Sequence, residues 1–280
     1  MEFRTKVEIT PNEWKIEPRE RMLFIGSCFA DNMGKRFQEN KFRATVNPYG
    51  VMYNPASVLH TVERLCDERL MPFDPNKTGT AVFTLGTNHV YILKETGEIV
   101  DNCRKRPQCL FEERTLGVGE CVDYLRKAIR CIHQRFPLVR FVLTVSPIRY
   151  KKYGYHGSRL SKATLLLAID KLLDSHATPN HDAETWRATY FPAYEIVDDE
   201  LRDYRFYAPD MLHPTEQAVD YIYECMAETF FSEATINFIK AWRPIKDALA
   251  HKPFNPDSEE YQAFLKDAKR REQELMSHYE

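Results

Sequence analysis

Two stretches far apart in the chain carry the residue types that acyl transfer needs: Ser27 in "FIGSCFADNMGKRF", and Asp210 and His213 in "YAPDMLHPTEQAVDYIYECM". A serine hydroxyl is a weak nucleophile until a base takes its proton and a third group orients that base. Asp210 and His213 stand three residues apart on a turn bounded by Pro209 and Pro214. There the carboxylate can approach imidazole Nδ1 and leave Nε2 facing outward, the tautomer that a general base requires. Ser27 follows an apolar run and precedes Phe29, Met33 and Phe37 at helical spacing, so it sits on a strand-to-helix turn among free helix N–H groups. That place suits a nucleophile, although on this turn alone an ordinary helix cap is the more common explanation. The Asp210–His213 pair shifts the balance toward catalysis. Cys28 is the rival nucleophile, because a helix N-terminus can lower a thiol pKa. One position past the turn, it is expected to pack between sheet and helix as a small hydrophobe.

Other chemistries fit less well. A phosphate-binding loop fails because seven residues separate Gly26 from Gly34-Lys35 and Arg36 stands where Ser or Thr is required. The chain has no GxGxxG for a dinucleotide, and His156, His176 and His181 form no HxxxH or HExxH pair, so neither cofactor nor metal is expected. Lys and Arg number 39 against 41 acidic residues, which leaves no basic field for a nucleic-acid or membrane partner. The "RKR" at 104–106 reads as a solvated loop without an aromatic platform. Seven cysteines with no CxxC pair fit a reducing, cytoplasmic compartment. The first residues interleave charges with single apolar positions and lack the core of a signal peptide.

The elements that must hold these residues can be read from hydrophobic pattern. Residues 22–25, 81–85 and 141–145 are continuous apolar runs, the pattern of strands buried on both faces. Between and after them, Val122, Leu125, Ile129, Ile132 and Phe136 keep helical rhythm, as do Leu165, Ile169 and Leu172, and Ala218, Ile222, Met226 and Phe230. "WRATYFPAY" suggests a further short or edge strand, given Pro192. "HVYILKETGEIVDN" suggests a hairpin around Thr96-Gly97. Alternating strands and helices imply an open α/β sheet with its chemistry at the carboxyl ends of the strands. Residues 1–232 are expected to form this domain, and 233–280, a mixed-charge segment interrupted at Pro253 and Pro256, a C-terminal helical extension.

"GSCFADNMG", "NPYGVMYNP", "FTLGT", "VSPIR" and "YFPAYEIVDDELRDYRFYAPDMLHP" together resemble the GSCFA family, a branch similar to the SGNH/GDSL hydrolases, over about residues 20–232. The resemblance implies a three-layer α/β/α sandwich with a mostly parallel, flavodoxin-like sheet. It implies Ser27 as nucleophile, Asp210 and His213 as its partners, and an oxyanion hole drawn from Gly50 of "NPYG" and Asn88 of "GTN". His89 replaces the Asp usual after that asparagine, and Asn54 and Asn102 are the substitutes for Asn88. Arg149, Arg205 and Tyr207 are the expected substrate-binding residues. The implied activity is a serine esterase acting on small-molecule or glycan O-acyl esters, O-acetyl esters among them. The alternatives are an O-acyltransferase using the same acyl-enzyme and a non-catalytic binding protein on this fold.

Overall fold

Strand β1 (Arg21–Gly26) is apolar at successive positions because helices cover both of its faces. Leu23 and Ile25 enter one core, and Met22 and Phe24 enter another on the opposite side. In the computed structural model, which describes residues 4–103, 106–177 and 186–279, β1 is followed by α1 (Cys28–Glu39), β2 (Arg43–Val46), α2 (Pro55–Asp67) and β3 (Gly79–Leu85). Then come β4 (His89–Leu93), β5 (Glu98–Val100), β6 (Phe111–Thr115), α3 (Val118–Arg135), β7 (Val139–Val145), α4 (Gly154–Ala177) and β8 (Arg187–Tyr190). A short turn, α5 (Ala193–Glu195), leads into a wide helical turn over Ile196–Leu201, and α6 (Glu216–Phe230), α7 (Glu233–Ala250) and α8 (Glu259–His278) complete the chain. His181 and the first two residues of "RKR" lie outside the described residues.

The main sheet has the order β2-β1-β3-β7-β8 and every pairing in it is parallel. Counted within the sheet alone, this is the 2-1-3-4-5 order of flavodoxin-like folds, whose switch point lies between the first strand and the third. The two cores alternate along each central strand. Phe83 and Phe141 face α2, α3 and α4, whereas Val82 and Val142 face α1 and α6. The expected hairpin is present as β4–β5, and β6 joins it on the other side of β4 to form a separate antiparallel sheet, β5-β4-β6.

At the amino edge of the sheet, Arg140 Nη2 meets Glu20 Oε2 at 2.6 Å with both side chains buried, and Thr80 Oγ1 donates to Glu20 Oε1. Above α6 the chain closes on itself: Ile16 N–H donates to Phe230 O at 2.6 Å, and Ser232 N–H donates to Ile16 O at 3.2 Å. Helices α7 and α8 form the extension. Trp242 Nε1 donates to Glu39 O, and Lys41 pairs with Glu272, which fasten it to the α1–β2 corner. Among the described residues no helix is long and apolar enough to cross a membrane, and no three His, Cys, Asp or Glu side chains cluster as metal ligands.

Candidate active site

The β1–α1 turn is built on close approach. A Cβ on Gly26 would lie 2.2 Å from the Thr84 carbonyl oxygen of β3, so only glycine fits. Ser27 then caps α1. Its N–H donates to Thr84 O at 3.1 Å, and its Oγ accepts from Phe29 N at 3.2 Å and donates to Ser146 Oγ at 2.9 Å. Its residue exposure is 0%. Cys28, the first residue of α1, is half-buried against the α1–α6 core and reaches the Tyr53 hydroxyl. Burial, and after it Asp31, pushes the thiol pKa up, opposed by the Tyr53 hydrogen bond.

The second half of the site is the turn before α6. Asp210 Oδ2 lies 2.6 Å from His213 Nδ1, while Oδ1 accepts the N–H groups of Leu212 and His213 at 2.9 and 3.0 Å. Those two backbone bonds, followed by His213 itself, hold the Asp210 carboxyl down to about 2. Met211 takes a left-handed conformation, φ 59°, to make the turn this tight. Ala208 N–H donates to His213 O, and Thr215 caps α6 through Ala218 N. Arg149 docks the turn to the end of β7: its N–H donates to Leu212 O and its Nη1 to Met211 O, both at 3.1 Å. Ser146, three residues earlier in the same loop, accepts a hydrogen bond from the Ser27 hydroxyl. The two halves are thus linked at one carboxyl edge through the β7 loop, and no hydrogen bond joins Ser27 to His213 among the described residues.

The other expected residues are placed as follows. Gly50, φ 95°, spends its N–H on Asn47 O at 2.8 Å. Asn47 itself supports the nucleophile turn, with Oδ1 accepting from Gly26 N and Nδ2 donating to Asp31. Asn88 is buried, and its Nδ2 donates to Leu116 O at 2.7 Å, so the side chain fastens the β4 sheet to the start of α3. Asn54 caps α2 through Ser57 N, and Asn102 lines a separate cavity of about 420 Å³ beside α2. Arg149 and Tyr207 line a cavity of about 200 Å³ beside the His213 turn, whereas Arg205 is exposed and lies 3.7 Å from Asp203.

Two buried groups escape the sequence reading. The Tyr150 hydroxyl packs over Gly86 at the end of β3, where a Cβ would come within 2.1 Å of it, and it has no hydrogen-bond partner among the described residues. Burial, then the nearby Tyr53 and Cys28, raises this phenol far above its ordinary pKa. Lys162 is 2% exposed, and its Nζ donates to Gly86 O at 2.7 Å and Ser146 O at 2.6 Å, tying β3 to β7. Burial lowers its pKa to about 7. Its position, three residues before Leu165 and seven before Ile169, puts a lysine on the apolar stripe of α4, which is the signal that could have found it.

Among solved structures the chain is similar to a carbohydrate esterase family 3 protein from Talaromyces cellulolyticus, with 8% identity over 79% of this chain and 98% of that one, TM-score 0.42. It is also similar to a mutant of an acetyl-xylooligosaccharide esterase from Geobacillus stearmophilus, with 13% identity over 77% and 96%, TM-score 0.43. No curated protein matches the sequence. The GSCFA family model matches residues 21–77 and 73–226, a span containing both the β1–α1 turn and the Asp210–His213 turn, and that of the GSCFA domain protein, C-terminal domain, matches 242–280. With both halves of the site inside the matched span, this chain is a member of the GSCFA family.

Proposed function

We propose that the chain is an ester hydrolase working through an acyl-enzyme at the β1–α1 turn, with His213 as general base and Asp210 as its orienting carboxylate. The observation that carries this reading is the 2.6 Å contact between Asp210 Oδ2 and His213 Nδ1 on a turn docked to the loop that touches Ser27. With Nδ1–H held by the carboxylate, Nε2 keeps its lone pair. Ser27 Oγ exchanges its bond to Ser146 for one to Nε2, gives up its proton and attacks the ester carbonyl. His213 then returns the proton to the departing alcohol, and water attacks the acyl-enzyme by the same route. The substrate class in this reading is an O-acyl ester of a carbohydrate, as family resemblance implies.

A second nucleophile is favoured by one observation. Ser27 is fully buried with its hydroxyl and N–H engaged, whereas the neighbouring Cys28 thiol is half-exposed at the first position of α1, where backbone N–H groups have no intrahelical acceptor. In this second reading Cys28 Sγ attacks, Ser27 serves as the cap, and the unpartnered Tyr150 hydroxyl donates to the developing oxyanion. Labelling with a fluorophosphonate and, separately, with iodoacetamide, followed by peptide mapping, tests both. The first reading expects fluorophosphonate on Ser27, weakened in His213→Ala. The second expects His213-dependent alkylation of Cys28 and ester hydrolysis that Cys28→Ala abolishes and Ser27→Ala leaves. Labelling of neither residue, with no hydrolysis of a small acetyl ester, refutes the hydrolase.

A further inference from the structure

The cavity of about 200 Å³ beside the His213 turn has a chemistry of its own. Its carboxylate, Asp198, is already engaged by Arg159, whose Nη2 donates to Oδ1 at 2.8 Å and whose Nη1 meets Oδ2 and the Tyr194 hydroxyl. Arg149 and Lys162 complete the charged lining, and among the described residues neither has a carboxylate within ion-pair distance. Arg149 donates to the Met211 carbonyl and lies 4.3 Å from the Tyr155 ring centre and 5.3 Å from that of Tyr207. Lys162 donates to two carbonyls and lies 5.0 Å from the Tyr150 ring centre, so it shapes the floor of the cavity. The wall therefore carries one permanent cation, Arg149, that no protein carboxylate neutralises, set among tyrosine rings that present flat faces and hydroxyls.

We infer that this cavity is a subsite for the carboxylate of an acidic sugar, with Arg149 binding the anion and Tyr155 and Tyr207 flanking the ring. The inference rests on the ester-hydrolase reading, since it makes this sugar part of the esterified substrate. Position supports it. Arg149 holds the His213 turn through Met211 and Leu212, and Lys162, which also lines the cavity, holds Ser146, the partner of Ser27, so an anion held there by Arg149 lies against both halves of the candidate site. A guanidinium offers a carboxylate two parallel N–H donors, and a tyrosine face suits the C–H face of a pyranose.

Calorimetric titration of the full chain carrying His213→Ala, which needs no turnover, tests the subsite with glucuronate, glucose and glucose 6-phosphate as probes. Glucuronate should bind at least about tenfold more tightly than glucose, and Arg149→Gln should remove about tenfold or more of that affinity, the range for a hydrogen bond to a charged group. Equal affinity for glucuronate and glucose overturns the inference, as does an unchanged affinity in a folded Arg149→Gln protein. Tighter binding of glucose 6-phosphate than of glucuronate overturns the carboxylate assignment in favour of a phosphate. Because Arg149→Gln could disturb the turn, the salt dependence of the probes is measured on the parent protein as well. Glucuronate affinity should fall with salt, and a salt-independent one counts against the subsite. Hydrolysis of a small acetyl ester by the unsubstituted protein reports separately on the ester-hydrolase reading. Hydrolysis without glucuronate binding defeats the subsite alone, and binding without hydrolysis defeats the hydrolase while leaving the anion site in place.

Discussion

Replacing Lys162 with methionine should alter how stability depends on pH. In the folded chain the ammonium pKa falls from its ordinary 10.5 to about 7 because the group is buried. Between those two values the unfolded chain holds one more proton at this position than the folded chain does. The free energy of unfolding therefore rises with pH across that window. One group contributes at most about 1.4 kcal/mol per pH unit, and the integrated gain between about pH 7 and 9 is about 2 kcal/mol. The Lys162→Met protein lacks this gain, while Tyr150, Tyr194 and Arg159 around the site are common to both proteins and largely cancel in the difference. At about pH 9, where the parent lysine is neutral, the variant should be less stable by about 1–3 kcal/mol, because the Gly86 and Ser146 carbonyls lose a shared donor. Urea denaturation followed by tryptophan fluorescence, repeated across this pH range, reads the difference directly. A difference that stays flat from about pH 6 to 9 would refute a buried, destabilised ammonium at this position.

Removing the base or its orienting carboxylate, by His213→Ala or Asp210→Asn, should lower kcat for ester hydrolysis by about 10²–10⁴-fold in steady-state assays, and a loss smaller than about tenfold would remove His213 from the mechanism. With its carboxyl held at about 2, Asp210 stays ionised through the working pH range. The pH–rate profile should then lack an inflection near about 4, the ordinary carboxyl value, and one that disappears in Asp210→Asn would contradict the hydrogen-bonded turn. Arg140→Ala strands the buried Glu20 carboxylate and should cost about 3–5 kcal/mol in chemical denaturation, against near-neutrality if the pair were solvated. Gly26→Ala forces a methyl against the Thr84 carbonyl and should cost at least about 1–3 kcal/mol, seen as a lowered thermal midpoint or lost soluble yield.

The central strands could be read from sequence because burial on both faces makes their apolar runs unbroken, as at β1, β3 and β7. β2 and β6 could not. β2, "RATV", is a four-residue edge strand whose side chains remain partly exposed, and β6, "FEERT", pairs in the small antiparallel sheet with charges facing out. The Asp210–His213 contact was visible because both partners lie on one proline-bounded turn. What the Ser27 hydroxyl does was not, because its partner Ser146 comes from a loop 119 residues away. Asn88 illustrates the same limit: its amide bonds Leu116, a residue whose position depends on where β6 returns the chain. Lys162 stood in plain view on an apolar helical stripe, but only the strand ends beneath it explain why a lysine is tolerated there.

The backbone clasp between Ile16 and Phe230–Ser232 ties the entry to the sheet to the exit from α6, so it closes a loop containing every strand. The entropy of closing such a loop grows only slowly with its length, and the contacts that reward closure, α6 against α1 among them, come late in the chain. The Asp210–His213 turn rides on the amino end of α6. A partial opening that lifts α6 would carry the histidine away while leaving the Gly26–Thr84 approach in place. Amide exchange should then show α6 and the His213 turn exchanging together, faster than β3 and β7, which makes the base the separable half of the site.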